Sequence, residues 1–105
     1  MSISEQAAGP GWKTFLVEHY WPGVTADEFG AAADSVRTSA EALEREGTHV
    51  RFLHSTLVPQ DEAGFCVLAA ESQTLVEEAY ARAGVTFERI VESVEPSVRR
   101  REEDP

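Results

Sequence analysis

The chain has a single cysteine, so no disulfide can close within it. Basic residues are scarce: nine lysines and arginines stand against 19 acids, a formal charge of −10. The one basic cluster, Arg99 to Arg101, runs straight into acids. Phosphate backbones are held by a positive footprint. Nucleic acid is therefore excluded as an expected partner, and an anionic membrane surface with it. No apolar run approaches the roughly 20 residues of a spanning helix. The first residues lack the basic segment and apolar run of a secretory signal. Phosphate loops, dinucleotide fingerprints and nucleophile elbows are absent as well. Together these absences predict a reduced, cytoplasmic protein.

What remains is one domain in 105 residues. "MSISEQAAGPG" is small and polar, and "RRREEDP" is charged throughout. The expected organisation is a tail at 1–11, a domain at 12–96 and a charged tail at 97–105. A domain of that size buries only roughly 60–65% of its unfolded surface, so a second subunit would stabilise it.

"KTFLVEHYW" is rich in β-branched and aromatic residues, and its centre is apolar at consecutive positions. That pattern predicts a central strand covered on both faces. Thr25 stands three residues before Glu28, the spacing of a capping box. Phe29, Ala32, Ala33, Val36, Ala40 and Leu43 then recur as one helical stripe. Gly47 suits the left-handed stop. "THVRFLHSTLV" predicts a second strand, joined by "PQDEAG" to "FCVLAAE", a third that is again apolar at consecutive positions. Ser72 opens a second helix with Leu75, Val76, Ala79, Tyr80 and Ala83 as its stripe, and Gly84 closes it. "TFERIVESV" is the last expected strand, stopped by Pro96.

Strand, helix, strand, strand, helix, strand, with right-handed crossovers, gives an α+β class: a ferredoxin-like βαββαβ sandwich. Its sheet is four-stranded and antiparallel, with two helices on one face. Strands one and three are central in that topology, and they are the two with continuous apolar runs. Two helices cover one face only. The apolar character of the other face predicts a homodimer built through it.

Several side chains are candidates for chemistry. Glu18 sits among apolar residues; it is either a general base with a pKa raised by burial, or the partner of an arginine such as Arg51 or Arg89. His19 points to the opposite face from Glu18, because side chains alternate along a strand. His54 shares the phase of Val50 and Phe52 and is a second acid–base or ligand candidate. Cys66 has the phase of Leu68 and Ala70, the pattern of a small core residue. As a nucleophile it would need His54 or His19 as a base. No close-spaced metal motif exists. A site assembled from His19, His54 and Cys66, with Glu18, Asp61 or Glu62 near, would suit nickel, zinc or copper. Tyr20 and Trp21 are expected pocket-lining residues, together with Asp61 and Glu62, which by default are turn acids.

"FLVEHYWPGVT", "EGTHVRFLHSTLVPQDE", "FCVLAAES" and "ARAGVTFERIVE" resemble the small bacterial family known as domain of unknown function 4242. The likeness runs from Lys13 to Val94. It implies a ferredoxin-like fold and dimers. A related branch is described as nickel-binding, and His19 and Cys66 look like counterparts of residues in it. Glu18, Ser55, Pro59, Asp61 and Glu62 look instead like features of the main branch. "STLVPQDE" and "YWPG" depart from the nickel branch. The resemblance thus implies a small dimeric metal-binding protein, with nickel or zinc as the metal and no organic cofactor. Two further readings stand beside it. One is a cofactor-free isomerase, cyclase or small-ligand binder that uses Glu18 or His54 in a dimer cleft. The other is an accessory protein without chemistry.

Overall fold

Strand β1 (Lys13–Tyr20) alternates its burial residue by residue: Phe15, Val17 and His19 are buried, while Leu16 and Glu18 are half-exposed and Tyr20 is exposed. The computed structural model describes residues 11–94. The tails expected at 1–11 and 97–105, and the stop at Pro96, lie outside the described residues, Gly11 apart. After β1 come α1 (Ala26–Arg45), β2 (Val50–Val58), a 3-10 turn (Pro59–Asp61), β3 (Ala63–Ala70), α2 (Gln73–Ala83) and β4 (Arg89–Ser93). The strands order as β2-β3-β1-β4 and every pairing is antiparallel. This is the ferredoxin-like α+β sandwich, with β1 and β3 central.

The helices start and stop where local chemistry dictates. Thr25 Oγ1 accepts from the Glu28 N–H at 3.1 Å, and Glu28 Oε1 accepts from the Thr25 N–H at 2.9 Å. Two backbone donors that the helix leaves free are thereby satisfied. Gly47 (φ 94°) follows α1 and Gly84 (φ 70°) closes α2, both in the left-handed region. Ser72 precedes α2 in extended conformation, but its side chain makes no capping hydrogen bond. Phe29, Ala33, Val36, Ala40 and Leu43 of α1 are buried against the sheet and α2. Ser39 joins them, donating to the Ala79 carbonyl at 2.8 Å. A serine is neutralised here by a neighbouring helix, which is why its place in the stripe is invisible in a hydrophobic pattern.

Register sorts the sheet into two faces, because directly opposite residues share a side. Toward the helices lie the rows Phe52–Leu68–Phe15–Glu92, Ser55–Cys66–Val17–Ile90 and Leu57–Gly64–His19. Away from them lie His54–Val67–Leu16–Val91 and Thr56–Phe65–Glu18–Arg89. The open face therefore has an apolar middle of Leu16, Phe65, Val67 and Val91, all half-exposed in the single chain.

Two expectations need correction. His54 does not keep the phase of Val50 and Phe52. The register of β2 shifts between Phe52 and His54, so Leu53 is the extra residue of a bulge. One inserted residue turns every following side chain over, and His54 opposes Val67 on the open face. The last strand is also shorter than read: it starts at Arg89, not at Thr86. The Glu88 N–H still donates to the Glu18 carbonyl at 2.7 Å, but residues 86–88 lie outside the ladder and wall a cleft.

Candidate functional site

His19 ends the buried half of β1 and has two hydrogen-bonding partners. Its Nδ1 lies 3.1 Å from the Gly64 carbonyl and its Nε2 lies 3.0 Å from the Tyr80 hydroxyl. A carbonyl can only accept, so Nδ1 carries the proton. Neutral imidazole then offers Nε2 as an acceptor, and the Tyr80 O–H donates to it. The Cys66 thiol lies beside the same hydroxyl. A chain of hydrogen bonds thus runs from the Tyr80 hydroxyl through His19 to the Gly64 carbonyl, with the Cys66 thiol beside the hydroxyl. All three side chains are buried, and among the described residues no buried side-chain polar atom is left without a partner.

Burial sets the electrostatics of this chain. It pushes the His19 pKa below its ordinary value, with the hydrogen bond to Gly64 opposing only in part. It pushes the Cys66 thiol up, partly offset by Tyr80. It pushes the Tyr80 phenol up as well, and the neighbouring Cys66 adds to the shift. Each group is held neutral, since a desolvated charge is costly.

Aromatic rings surround the chain. The Phe29 ring meets His19 edge-on at 5.5 Å, the Tyr80 ring lies 5.5 Å from His19, and Phe87 meets Tyr80 edge-on at 5.2 Å. Gly64 makes room for this belt: a Cβ there would fall 2.2 Å from Phe29 Cε1. His19, Phe29 and Phe87 of this belt line a cleft of about 290 Å³ between the exit of β1, α1 and the segment linking α2 to β4. His19, Tyr20, Trp21, Phe29, Phe87 and Glu88 are among its walls.

The other candidates lie elsewhere. Glu18 is on the open face, where Arg89 Nη2 donates to Oε2 at 2.9 Å. That hydrogen bond holds the Glu18 carboxyl below the usual carboxylate range, against a smaller opposing effect of burial. Of the two expectations for Glu18, the arginine pair is what forms, and the raised pKa of a buried base is replaced by a lowered one. His54 is exposed on the same face as Glu18 but two strands away, roughly 10 Å sideways at the usual strand spacing. Tyr20 and Trp21 do line the cleft. Asp61 is exposed on the 3-10 turn. Glu62 follows it in left-handed conformation (φ 52°) and clamps the hairpin to the exit of β1. Its carbonyl accepts from the Trp21 N–H at 3.0 Å and its Oε2 from the Gly23 N–H at 2.9 Å.

His19 and Cys66 therefore meet through Tyr80, while His54 faces the other way. A soft divalent ion needs a free imidazole lone pair or a thiolate. His19 has both nitrogens engaged and the Cys66 thiol is kept protonated, so this pair does not fit a resident metal. Among the described residues no three His, Cys, Asp or Glu side chains gather into a group that could hold one. No described helix is long and apolar enough to cross a membrane.

A family model described as nickel responsive protein SCO4226-like matches residues 15–92. The chain belongs to the SCO4226-like family. The fold is also similar to the crystal structure of SCO4226 from Streptomyces coelicolor A3(2). That similarity has a TM-score of 0.65 and 22% identity, and covers 80% of this chain and 99% of that one. At this identity it speaks for the fold alone. No curated protein matches the chain. Membership in the SCO4226-like family agrees with the nickel-related resemblance read from the residues, at the level of the family.

Tyr80, Phe29, Phe87 and Gly64 were not legible as one unit. The first three read as core stripe or strand residues, and the glycine as part of a connection. The available signal was an aromatic at each of three element ends that the βαββαβ topology brings together.

Proposed function

We propose that this member of the SCO4226-like family is a small homodimeric metal-binding protein that takes nickel or another soft divalent ion at surface imidazoles. The family's description as nickel responsive supports the metal. The formal charge of −10 favours a cation. The observation that carries the location is the bulge at Leu53, which turns the exposed His54 onto the open face of the sheet. One imidazole is too few for a site. A second copy packed on the apolar row Leu16, Phe65, Val67 and Val91 would supply further ligands and cover that row. The sequence-derived set His19, His54 and Cys66 thereby reduces to His54 and residues of the second copy. His19 and Cys66 serve instead to hold the end of the sheet against α2.

The test is a nickel titration by calorimetry on untagged protein, with the oligomeric state followed by sedimentation. Saturable uptake by a dimer is expected, lost in His54→Ala and retained in Cys66→Ala. Retained binding in His54→Ala overturns the site. No binding at micromolar nickel overturns the metal reading.

A further inference from the structure

The cleft beside His19 lies on the helix side of the sheet, away from the face assigned to the dimer and the metal. About 290 Å³ is near the lower end of the roughly 300–1,000 Å³ of small-molecule sites, a volume for a fragment-sized molecule. Its floor is preformed, because each ring of the belt is packed against the next and His19 is fixed by two hydrogen bonds. Its rim is wet: Trp21 stays 39% exposed although it is the largest side chain there.

The charges around the cleft are one-sided. Among the described residues Glu88 is its one acidic wall residue, and no lysine or arginine lines it. The two nearest arginines in sequence are engaged elsewhere. Arg89 pairs with Glu18 on the open face, and Arg82 pairs with Glu46 at 2.9 Å. His19 is neutral and has no free lone pair to offer. Aromatic faces attract cations through their quadrupoles, most strongly tryptophan, and the attraction grows as the cation is desolvated. An aromatic-lined cleft with a single carboxylate at its mouth complements an apolar body bearing one positive charge. It repels an anion and offers a neutral polar molecule little to bond to.

From this we infer that the cleft formed by His19, Trp21, Phe29, Phe87 and Glu88 is a binding site for a small organic ammonium ion. Its apolar part lies against the aromatic belt, and its charge sits between Trp21 and Glu88. This inference does not rest on the metal reading and survives its failure.

Benzyltrimethylammonium is the probe, with phenylacetate and benzyl alcohol as its anionic and neutral counterparts. Each is titrated into the full chain while amide and indole N–H resonances are followed by NMR. The two tryptophan signals are told apart with Trp12→Phe. The cation should shift the Trp21 indole and the amides of residues 84–88 saturably at millimolar concentration. Phenylacetate should give no saturable shift there, and benzyl alcohol should bind more weakly than the cation. Glu88→Gln changes an exposed residue, so the fold stays intact; it should weaken the cation about three- to fivefold and leave benzyl alcohol unchanged. The inference is overturned by no saturable shift with the cation, by equal or tighter binding of phenylacetate, by shifts confined to the open face, or by unchanged affinity in Glu88→Gln.

Discussion

The two faces of one sheet treat the same kinds of residue in opposite ways. Toward the helices Val17, Cys66 and Leu68 are fully buried. One position along each strand, Leu16, Phe65 and Val67 remain half-exposed. The polar groups differ in parallel. His19 and Tyr80 on the covered face satisfy each other and stay neutral, whereas Glu18 and Arg89 on the open face pair as ions at 2.9 Å. Water decides the difference: a desolvated charge is costly, while an ion pair at the surface costs little and is worth little. The covered face is therefore finished within one chain, and the open face still has apolar area to bury.

The sharpest way to break that contrast is to shorten one residue on each face. Leu68→Ala leaves a cavity under both helices and should lower unfolding free energy by about 3 kcal/mol in urea melts. Phe65→Ala should cost about 1 kcal/mol within the subunit, since only part of the ring leaves water. Its larger effect should be on assembly, seen as a weaker dimer in sedimentation. Equal losses of subunit stability from the two changes would mean that the faces are not distinct.

Tyr80→Phe probes the covered network. It removes the donor to His19 Nε2 while keeping the ring against Phe87. Leaving buried polar atoms unpaired should cost about 2 kcal/mol with an unchanged circular dichroism spectrum. A loss below about 0.5 kcal/mol, under the cost of one such group, would show that water replaces the hydroxyl and that the network is not closed.

The smallest effect concerns acid. The folded pKa of His19 lies below its unfolded value near 6.5. Between the two values the unfolded chain binds more protons than the folded one, so stability rises with pH there. The contribution is full above the unfolded value and is lost as pH falls from there through the folded pKa. Glu18, also lowered, contributes above its unfolded value near 4.5 and loses that contribution at still lower pH. Urea midpoints from pH 8 to about 3 should fall in two stages. His19→Asn should remove the first stage, and Glu18→Gln should shrink the second, to which Glu46, held low by Arg82, also contributes. A first stage that persists in His19→Asn would assign it to another group.

Much of this was legible before any tertiary contact. The capping box of Thr25 and Glu28, the stops at Gly47 and Gly84, and the continuous apolar runs of β1 and β3 are local signals, and each is found where local chemistry puts it. Ser39 was less legible, because its burial depends on the Ala79 carbonyl across the helix pair. The same holds for the site. Alternation alone put His19 with Phe15 and Val17, and Cys66 with Leu68 and Ala70, but not the face each set takes, and the hydroxyl beside both belongs to a helix 61 positions from His19.

By itself the sequence determined the element order, the two central strands and the separation of Glu18 from His19, since propensity, capping and two-residue alternation act within a few positions along the chain. Only the tertiary structure decided which face His54 occupies, that Arg89 rather than Arg51 pairs with Glu18, and that His19, Trp21, Phe29 and Phe87 line one cleft. The reason is physical. A bulge is fixed by the partner strand's register, and an ion pair or a cleft by distances between segments that no local spacing encodes.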